Sequence, residues 1–333
     1  MEKITCSLLV FLVLASTSPV SNAQPAQSSP SLASRIELLR EKLTLHDDPY
    51  VFVIAHRGCT ENAPENSIKA ITDCIALGVD MVELDVRKTA DGVLILMHDD
   101  TLQRTTNGHG NVSDYNYEDL AQLTLKMGFG GDKVKITSER IPTFEQAMLA
   151  AKGQILVNLD GKAEVYDDAF SVLNLTGTQD HILMKKWLKP SDPSLSLQTP
   201  FNQVLSMPVL AEPKAYQSKD YFTANDYQAQ LQTHPIAAEF IFDSLDFAYQ
   251  ASQLAQQAGV RSWLNSLTGW TSAGLGDTQA LQDPAAVWGM FLAMGYSMIQ
   301  TDHPVQLLDY LKQISCQDKP SCQRHLLSLK PNE

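Results

Sequence analysis

The 333-residue chain has 25 Lys and Arg against 38 Asp and Glu, a formal net charge of −13, with 44% hydrophobic and 19% charged residues. These fractions are ordinary for a globular protein and exclude a coiled coil, a collagen and a multi-span membrane protein. An acidic chain is a poor match for nucleic acid, whose phosphates need clustered Lys and Arg. A phosphate ligand would need local cations or a metal to offset the negative charge.

Residues 1–23 predict a cleaved export signal rather than part of the fold. Lys3 precedes an uncharged apolar run at 7–15, and small residues at 21–23 offer a cleavage site. The run is too short to span a bilayer, and a retained N-terminal anchor is the alternative. Residues 24–34 are rich in Ser, Pro and Ala, which predicts a flexible tether. We therefore expect an exported protein, periplasmic or secreted, with no integral membrane span.

Removal of the signal would discard Cys6 and leave four cysteines, which allow three pairings in an oxidising compartment. Cys316 and Cys322 flank a short Pro-containing turn, which favours a disulfide between them in the C-terminal tail at 312–333. Cys59 and Cys74 would then pair by elimination. The alternative is that Cys59 and Cys74 remain free thiols, because Cys74 borders the apolar face of a helix.

Short apolar segments rich in β-forming residues predict nine strands, at 51–56, 81–86, 93–98, 154–159, 181–185, 208–212, 237–242, 260–265 and 297–302. Segments with helical character separate most of them, at 66–77, 144–151, 244–258 and 284–294. Continuous apolar strands that alternate with helices indicate parallel pairing with both faces covered.

The order of elements predicts an α/β fold, a TIM-type (β/α)₈ barrel formed by a single domain at 35–333. Nine candidate strands leave one outside the eight of a closed barrel. The gap at 87–92 is too short for an ordinary crossover and fits either a hairpin or a shortened crossover. Residues 99–140 predict an insertion at the C-terminal mouth, and the loop at 268–283 predicts a lid.

Functional groups of such a barrel gather at the carboxyl ends of its strands. Glu83 and Asp85 are two apart on a predicted strand and share one face, which is the interior if the residue between them faces the helices. Asp160 ends the fourth strand at the same rim. Clustered carboxylates repel unless a cation joins them, and all-oxygen ligands select Mg²⁺ or Ca²⁺. The alternative is neutralisation by salt bridges to Arg57 or Lys162.

His56 and His98 each close a predicted strand beside these carboxylates. Imidazole titrates near neutral pH, so two histidines at matching ends predict a general acid/base pair. Arg57 follows His56 and offers a planar fork for a phosphate or carboxylate. Together these residues indicate metal-assisted cleavage of a phosphoester.

The chain carries, in this order, AHRG at 55–58, APENS at 63–67, VELDVRKTADGVLILMHDDTLQRTTNGHGNV at 82–112 and RIPTFEQA at 140–147, then WLN at 263–265 and IQTDHP at 299–304. This ordered set resembles the signature of the glycerophosphodiester phosphodiesterase family, in the phospholipase C-like phosphodiesterase superfamily. The resemblance is dense from residue 53 to about residue 162 and thin elsewhere. It implies hydrolysis of small glycerophosphodiesters to glycerol phosphate and an alcohol, and it does not point to a protein partner.

Carried onto this sequence, the resemblance implies that His56 and His98 are the acid/base pair and that Arg57 contacts the phosphate. Glu83 and Asp85 would bind one divalent cation, Ca²⁺ or Mg²⁺.

The family's third metal carboxylate is usually the Glu of an E-x-K pattern, and Asp160-Gly-Lys162 stands in its place, one methylene shorter. Ca²⁺ accepts longer and looser ligand distances than Mg²⁺, which favours calcium slightly. Lys162 would contact the substrate phosphate.

Four further residues match family elements near the site. Glu65 and Asn66 belong to the P-E-N element and would support the site. The alternative for Asn66 is a structural role as the N-cap of the next helix. Trp263 and Asn265 would line the leaving-group pocket.

Two rival functions fit parts of the pattern. One is a lipid-directed phosphodiesterase, similar to a lysophospholipase D or a sphingomyelinase D, which needs an apolar rim facing a membrane. The loops offer five residues for such a rim: Tyr115, Tyr117, Phe129, Trp270 and Leu275. The other is a barrel that binds phosphorylated ligands without catalysis.

Overall fold

The computed structural model of the protein describes residues 34–162, 164–212 and 224–317, with the side chains of 224, 225, 316 and 317 left aside. The predicted export signal at 1–23 and all but the last residue of the predicted tether lie outside these residues. The proposed disulfide between Cys316 and Cys322 also lies outside the described part of the chain.

The described residues form eleven strands: β1 (Phe52–Ala55), β2 (Met81–Lys88), β3 (Leu94–Leu96), β4 (Thr124–Lys126), β5 (Ile136–Arg140), β6 (Leu156–Gly161), β7 (Ile182–Trp187), β8 (Leu205–Ala211), β9 (Ala237–Ile241), β10 (Arg261–Asn265) and β11 (Tyr296–Thr301). Ten α-helices accompany them: α1 (Arg35–Thr44), α2 (Ile68–Leu77), α3 (Tyr117–Leu120), α4 (Phe144–Ala151), α5 (Tyr166–Thr176), α6 (Ala224–Leu231), α7 (Leu245–Gln257), α8 (Asp277–Ala280), α9 (Met290–Met294) and α10 (Pro304–Gln317).

Eight of these strands close into a parallel barrel. The order around it is β1, β2, β6, β7, β8, β9, β10 and β11, and β11 pairs again with β1. The predicted (β/α)₈ barrel is therefore confirmed. The extra strand is β3, which pairs antiparallel with β2. The short gap at 87–92 is thus a hairpin, and Gly92 in its turn has a φ of +84° that favours glycine.

The alternation of side chains along β2 determines what the barrel encloses. Leu84 and Val86 pack outward into the main apolar cluster, which also contains Ile71 of α2 and Phe144 of α4. Residues between them must then face the barrel axis. Glu83 and Asp85 of β2 point inward because the alternating hydrophobic side chains of that strand pack against the helices.

Helix α1 lies across the N-terminal end of the barrel. Its buried residues join a second apolar cluster with Phe52 and Ile54 of β1. The side chain of Arg35 donates to the carbonyls of Gln154, Gly78 and Val79, which precede strands at this end. An apolar cluster therefore lies at this end of the barrel, and the histidines and carboxylates singled out from the sequence lie at the opposite rim.

The segment at 99–140 forms a small unit on the opposite rim. Strands β4 and β5 pair as an antiparallel hairpin. A third apolar cluster lies beneath them, formed by Ile95, Met97, Leu102, Val112, Leu120, Leu125 and Ile141. This insertion has its own core and can present fixed side chains to the barrel mouth.

Cys59 and Cys74 form a disulfide that joins the loop after β1 to α2, and both residues are buried. The backbone supports the same contact, because the N–H of Cys59 donates to the Ala70 carbonyl at 3.2 Å. A Cβ on Gly58 would lie 2.7 Å from the Ala70 Cβ. Glycine in the AHRG motif thus permits this close approach of loop and helix.

Candidate active site at the barrel mouth

The predicted site residues converge on the carboxyl rim of the barrel. His56 follows β1, Glu83 and Asp85 lie on β2, and Asp160 lies near the end of β6, in register with Asp85. His98 arrives differently from the sequence-based expectation, because it follows an antiparallel strand. The hairpin of β2 and β3 rises above the rim and returns, and the backbone N–H of Met97 bonds to the Asp85 carbonyl at 3.0 Å.

Glu83, Asp85 and Asp160 form a carboxylate cluster, in which one oxygen from each lies within 4.8 Å of the others. Burial, together with neighbouring Asp85, raises the pKa of Glu83 to about 8. Burial opposes ionisation of Asp85 too, but Lys162 and Arg57 beside it more than compensate and lower its pKa. Ionisation of Glu83 at this buried position beside Asp85 is therefore unfavourable unless a further cation binds.

This donor set fits a divalent metal ion. The three side chains supply only oxygen, which suits a hard cation such as Mg²⁺ or Ca²⁺. Glu83 is buried and, among the described residues, has no Lys or Arg side chain within 4.0 Å, which is the second observation in favour of the fit. The cluster could therefore bind one divalent cation.

Basic side chains also contact the carboxylate cluster. Lys162 Nζ lies 3.1 Å from Asp85 Oδ1 and 3.0 Å from Asp160 Oδ1. Arg57 Nε lies 3.3 Å from Asp85 Oδ2, and the buried Lys185 lies 3.3 Å from Asp160 Oδ2. The salt bridges weighed as an alternative to metal binding are thus present. In the part of the chain that the structure describes, Glu83 is left without a basic side chain within 4.0 Å, apart from His56 at that distance.

His56 is held at both ring nitrogens. Its Nδ1 lies 2.7 Å from Asp302 Oδ1, and its Nε2 accepts a hydrogen bond from Arg57 Nε at 3.1 Å. The tautomer with the proton on Nδ1 satisfies both contacts. Burial lowers the pKa of His56, Arg57 adds to the lowering, and Asp302 opposes it. His56 is therefore an oriented, neutral imidazole with its acceptor nitrogen towards the cluster.

His98 has a matching arrangement on the other side of the site. Its Nδ1 lies 2.7 Å from Asp99 Oδ1, and the side chain of Arg87 donates twice to its carbonyl, at 2.8 and 2.6 Å. Asp99 is in turn bonded to Arg104. Each of the two predicted acid/base residues thus has a carboxylate partner at Nδ1, and Nε2 of His56 also accepts from Arg57 Nε.

Arg57 and Asn66 adopt left-handed backbone conformations, with φ of 56° and 53°. The conformation turns the Arg57 N–H towards Glu83 Oε2, at 3.1 Å. The side-chain amide of Asn66 makes two hydrogen bonds to Asp85. Its Nδ2 donates to Asp85 Oδ2 at 2.9 Å, and its Oδ1 accepts from the Asp85 backbone N–H at 3.1 Å. The N-cap of α2 is Ser67, so the N-cap interpretation of Asn66 is wrong and its side chain orients a candidate metal ligand instead.

The remaining residues predicted from the sequence, Glu65, Trp263 and Asn265, lie in different parts of the barrel. Glu65 is buried and pairs with Arg57 Nη1 at 3.0 Å. Asn265 faces the barrel interior, with its Nδ2 3.4 Å from Glu239 Oε1. Trp263 is fully buried in the apolar cluster of the barrel floor. This burial corrects the expectation for Trp263, because a side chain sealed in the floor does not line an accessible leaving-group pocket.

Several functional candidates were not predicted from sequence: Asp99, Arg104, Lys185, Glu239 and Asp302. Asp99 and Asp302 lie next to the ends of predicted strands, and that position is the feature of the sequence that indicates a place at the rim. Lys185 and Glu239 are charged residues inside apolar strand segments, and their ion pair at 3.5 Å crosses the barrel interior. Arg104 lies in the middle of the insertion and gave no signal.

Most of the five residues proposed for an apolar rim pack against the protein's own core and are not exposed at the barrel mouth. Tyr115 and Tyr117 pack against the cluster of the insertion, and Leu275 packs against the main core. The ring of Phe129 lies 6.0 Å from that of His56. Trp270 is the member of the set with a largely exposed side chain, at 53%. Among the described residues, no helix has the length and apolar character needed to cross a membrane.

Comparisons with known proteins agree with this geometry. A family model described as the glycerophosphoryl diester phosphodiesterase family matches residues 56–194, which include the histidines and the carboxylate cluster. This segment of the chain is similar to that family. A second model, described only as a domain of unknown function, matches residues 206–311.

Curated relatives match the N-terminal half of the barrel. A glycerophosphodiester phosphodiesterase of Caldanaerobacter subterraneus is 44% identical over 114 residues, which cover 34% of this chain and 46% of that protein. Glycerophosphodiester phosphodiesterase 1 of Mus musculus is 41% identical over 98 residues, 29% of each chain. The matched segment thus spans less than half the length of either relative.

Solved structures extend the fold similarity over most of the chain. A glycerophosphoryl diester phosphodiesterase from Parabacteroides distasonis has a TM-score of 0.65 and 22% identity, covering 85% of this chain and 93% of that one. A phosphodiesterase from Oleispira antarctica, solved in complex with the product sn-glycerol-3-phosphate, has a TM-score of 0.55 and 21% identity, with 78% and 95% coverage. At these identities the structures support the barrel fold.

Proposed function

We propose that the protein hydrolyses glycerophosphodiesters to glycerol phosphate and an alcohol, with a divalent cation at Glu83, Asp85 and Asp160. The observation that carries this proposal is the position of the carboxylate cluster between two histidines, each fixed at Nδ1 by a carboxylate. The match to the glycerophosphoryl diester phosphodiesterase family and the product complex of the similar Oleispira antarctica structure support the choice of substrate.

The protein's own residues supply proton transfer and phosphate binding. His56 has a pKa lowered by burial and its Nε2 lies towards the cluster, which suits it to accept a proton from the attacking water. His98 is then placed to protonate the departing alcohol. Within the described residues, Nη2 of Arg57 has no hydrogen-bond partner and is free to donate to a phosphate oxygen.

The cation at the cluster would stabilise the negative charge that develops on the phosphate oxygens. Lys162 and Arg57 already lie beside the same carboxylates and can turn towards a bound phosphate. We propose Ca²⁺ ahead of Mg²⁺, because the short Asp160 side chain is easier to accommodate in loose coordination.

Turnover of glycerophosphocholine and glycerophosphoethanolamine by purified protein tests this function. We expect alcohol release with Ca²⁺ or Mg²⁺, loss of activity in EDTA, and recovery when the metal is added back. Lysophosphatidylcholine is the discriminating substrate, because faster turnover of that lipid would replace our proposal by a lipid-directed phosphodiesterase. Phosphate-ligand binding without turnover of any diester would indicate a non-catalytic barrel.

We propose further that the protein is exported, to a periplasm or to the outside of the cell. The sequence at 1–23 is typical of an export signal, and the Cys59–Cys74 disulfide is stable in an oxidising compartment. Cell fractionation, with N-terminal sequencing of the recovered protein, tests both export and cleavage near Ala23.

A further inference from the structure

Arg104 lies at the centre of an ionic network that runs behind the site. A guanidinium carries five N–H donors, and all five of Arg104 have acceptors. Nε and Nη2 donate to the two oxygens of Asp99, at 2.7 and 2.8 Å. Nη1 and Nη2 donate to the two oxygens of Glu65, at 2.6 and 2.9 Å, and Nη1 also donates to the Phe129 carbonyl at 2.6 Å. No donor remains for a substrate.

The contact with Asp99 reaches His98. Asp99 Oδ1 is shared between Arg104 Nη2 and His98 Nδ1, which lies 2.7 Å away. Because Arg104 binds both oxygens, it fixes the plane of the carboxylate and hence the direction from which His98 is held. The same hydrogen bonds hold the pKa of Asp99 well below its usual range, so the carboxylate stays charged.

The contact with Glu65 reaches Arg57. Glu65 Oε1 accepts from Arg104 Nη2 and also from Arg57 Nη1, at 3.0 Å. Glu65 is buried, so this shared carboxylate is a firm anchor for both guanidinium groups. The anchor directs the remaining Nη2 of Arg57 to where a phosphate would bind.

The insertion holds Arg104 in place through its backbone. The N–H of Gly131 donates to the Arg104 carbonyl at 2.7 Å. A Cβ on Gly130 would lie 2.2 Å from the same carbonyl, and Gly130 has a φ of +71°, so only glycine fits there. This close packing, with the bond to the Phe129 carbonyl, makes Arg104 a rigid link between the insertion and the rim.

We propose that Arg104 is a positioning residue that holds the His98–Asp99 pair and the Arg57–Glu65 pair in one arrangement. Turnover depends on it, although it contacts neither the substrate nor the metal ligands. The inference rests on the proposed function, because it assigns His98 and Arg57 to the same reaction.

The test compares Arg104→Ala and Arg104→Lys with Arg140→Ala, a control arginine of the same insertion whose side chain donates to the Gln122 carbonyl. We expect kcat of Arg104→Ala to fall by about 10²-fold, the usual cost of misplacing a reacting group by about 1 Å. The metal Kd measured by calorimetry should stay within about twofold, because the carboxylate cluster is intact. Arg104→Lys, with three donors and no planar fork, should recover less than half of the lost activity on a logarithmic scale.

Two further measurements separate positioning from simple destabilisation. Guanidinium chloride at millimolar concentration should restore part of the activity of Arg104→Ala and none to the lysine variant. Asp99→Asn should lower kcat in the wild-type background and have a smaller effect when combined with Arg104→Ala, because the two act through one contact. Arg140→Ala should keep wild-type turnover.

The inference is overturned if Arg104→Lys, which conserves the charge and folds, keeps wild-type kcat, or if the effects of Asp99→Asn and Arg104→Ala are additive. Failure of the proposed function has a different signature. In that case the wild-type protein itself has no metal-dependent turnover of glycerophosphodiesters.

Discussion

Asp277 accepts a hydrogen bond from the backbone N–H of Asp302 at 2.8 Å, and Asp302 is the carboxylate partner of His56. The other oxygen of Asp277 accepts from the Ser266 hydroxyl at 2.7 Å. The segment at 268–283, expected as a lid, is thus attached by a buried carboxylate to the end of β11. This attachment fixes the residue that orients His56.

The first prediction concerns the pH dependence of stability. Burial raises the pKa of Asp277 from 3.8 to about 6, although its hydrogen bonds oppose the shift. The folded state therefore binds this proton more tightly than the unfolded chain, and the stability gained below pH 3.8 is lost as the pH rises through about 6. The loss amounts to about 3 kcal/mol.

Asp277→Asn can keep both contacts, with its oxygen accepting from Asp302 and its amide donating to the Ser266 oxygen. We expect the variant to lose the Asp277 contribution to the pH dependence and to gain stability at neutral pH. Urea unfolding at several values between about pH 4 and pH 8 measures this. A variant with the same slope of unfolding free energy against pH as the wild type would contradict the assignment.

The second prediction concerns Arg261, which is buried at the barrel floor beneath α1. Its guanidinium donates to a set of carbonyls at the end of that helix and beyond: Lys42, Leu43, Leu45, Asp48 and Tyr50. Arg261→Met would remove the guanidinium donor from all five carbonyls, of which that of Leu45 also accepts from the backbone N–H of Asp48. We expect a loss of about 2–5 kcal/mol in the free energy of unfolding, measured by urea titration.

Arg40 provides the control for Arg261. It also donates to a backbone carbonyl, that of Asp180, but the contact lies at the surface. Arg40→Met should cost less than about 1 kcal/mol. Equal effects of the two substitutions would show that burial of Arg261 contributes nothing.

The third prediction tests the acid/base pair. We expect His56→Ala and His98→Ala each to lower turnover by about 10²–10⁴-fold, the usual contribution of a positioned acid or base. Circular dichroism should show the native fold in both variants, because each histidine lies at the rim and outside the apolar clusters. Near-wild-type turnover by either variant would remove that histidine from the mechanism.

The strands could be predicted from sequence because buried parallel strands are continuous apolar runs, and each of the nine predicted segments overlaps an observed strand. Helices such as α1 and α5 were missed. The first four residues of α5, YDDA, include two aspartates and give little helical pattern, and α1 follows a Ser/Pro-rich segment. Its N-terminal capping box, formed by Ser34 and Glu37, was the local signal available.

The candidate site could be predicted where a residue's position along a strand decides its direction. Glu83 and Asp85 follow from the period of two, and His56 from its place after β1. Arg104 could not be predicted in this way, because its contacts depend on how the insertion folds back over the rim. Such contacts cannot be recognised from sequence because the partners are far apart along the chain. Glu65, for example, lies 39 residues before Arg104.

The fourth prediction concerns the second disulfide. Cys316 and Cys322 remain a predicted pair on the basis of the turn between them. Peptide mapping of exported protein without reduction should recover them as one linked fragment, together with a separate Cys59–Cys74 fragment. Alkylation of Cys316 as a free thiol in the exported protein would contradict the predicted Cys316–Cys322 disulfide.

The fifth prediction concerns Asp160 and Lys162, which should change metal affinity in opposite directions. Asp160→Asn removes a ligand charge from the cluster, so the metal should bind more weakly and excess metal should restore part of the activity. Asp160→Ala should do more damage, and Asp160→Glu should be tolerated. Calorimetric titration with Ca²⁺ and with Mg²⁺ measures each affinity.

Lys162→Gln removes a positive charge that lies 3.1 Å from Asp85 and 3.0 Å from Asp160. A cation entering the cluster must overcome repulsion from this ammonium group, so its removal should tighten metal binding by about tenfold. The same variant should bind substrate more weakly, because it would lose the proposed phosphate contact. Metal affinity that is unchanged in both Asp160→Ala and Lys162→Gln would show that the cation binds elsewhere, since both side chains contact the proposed ligand set directly.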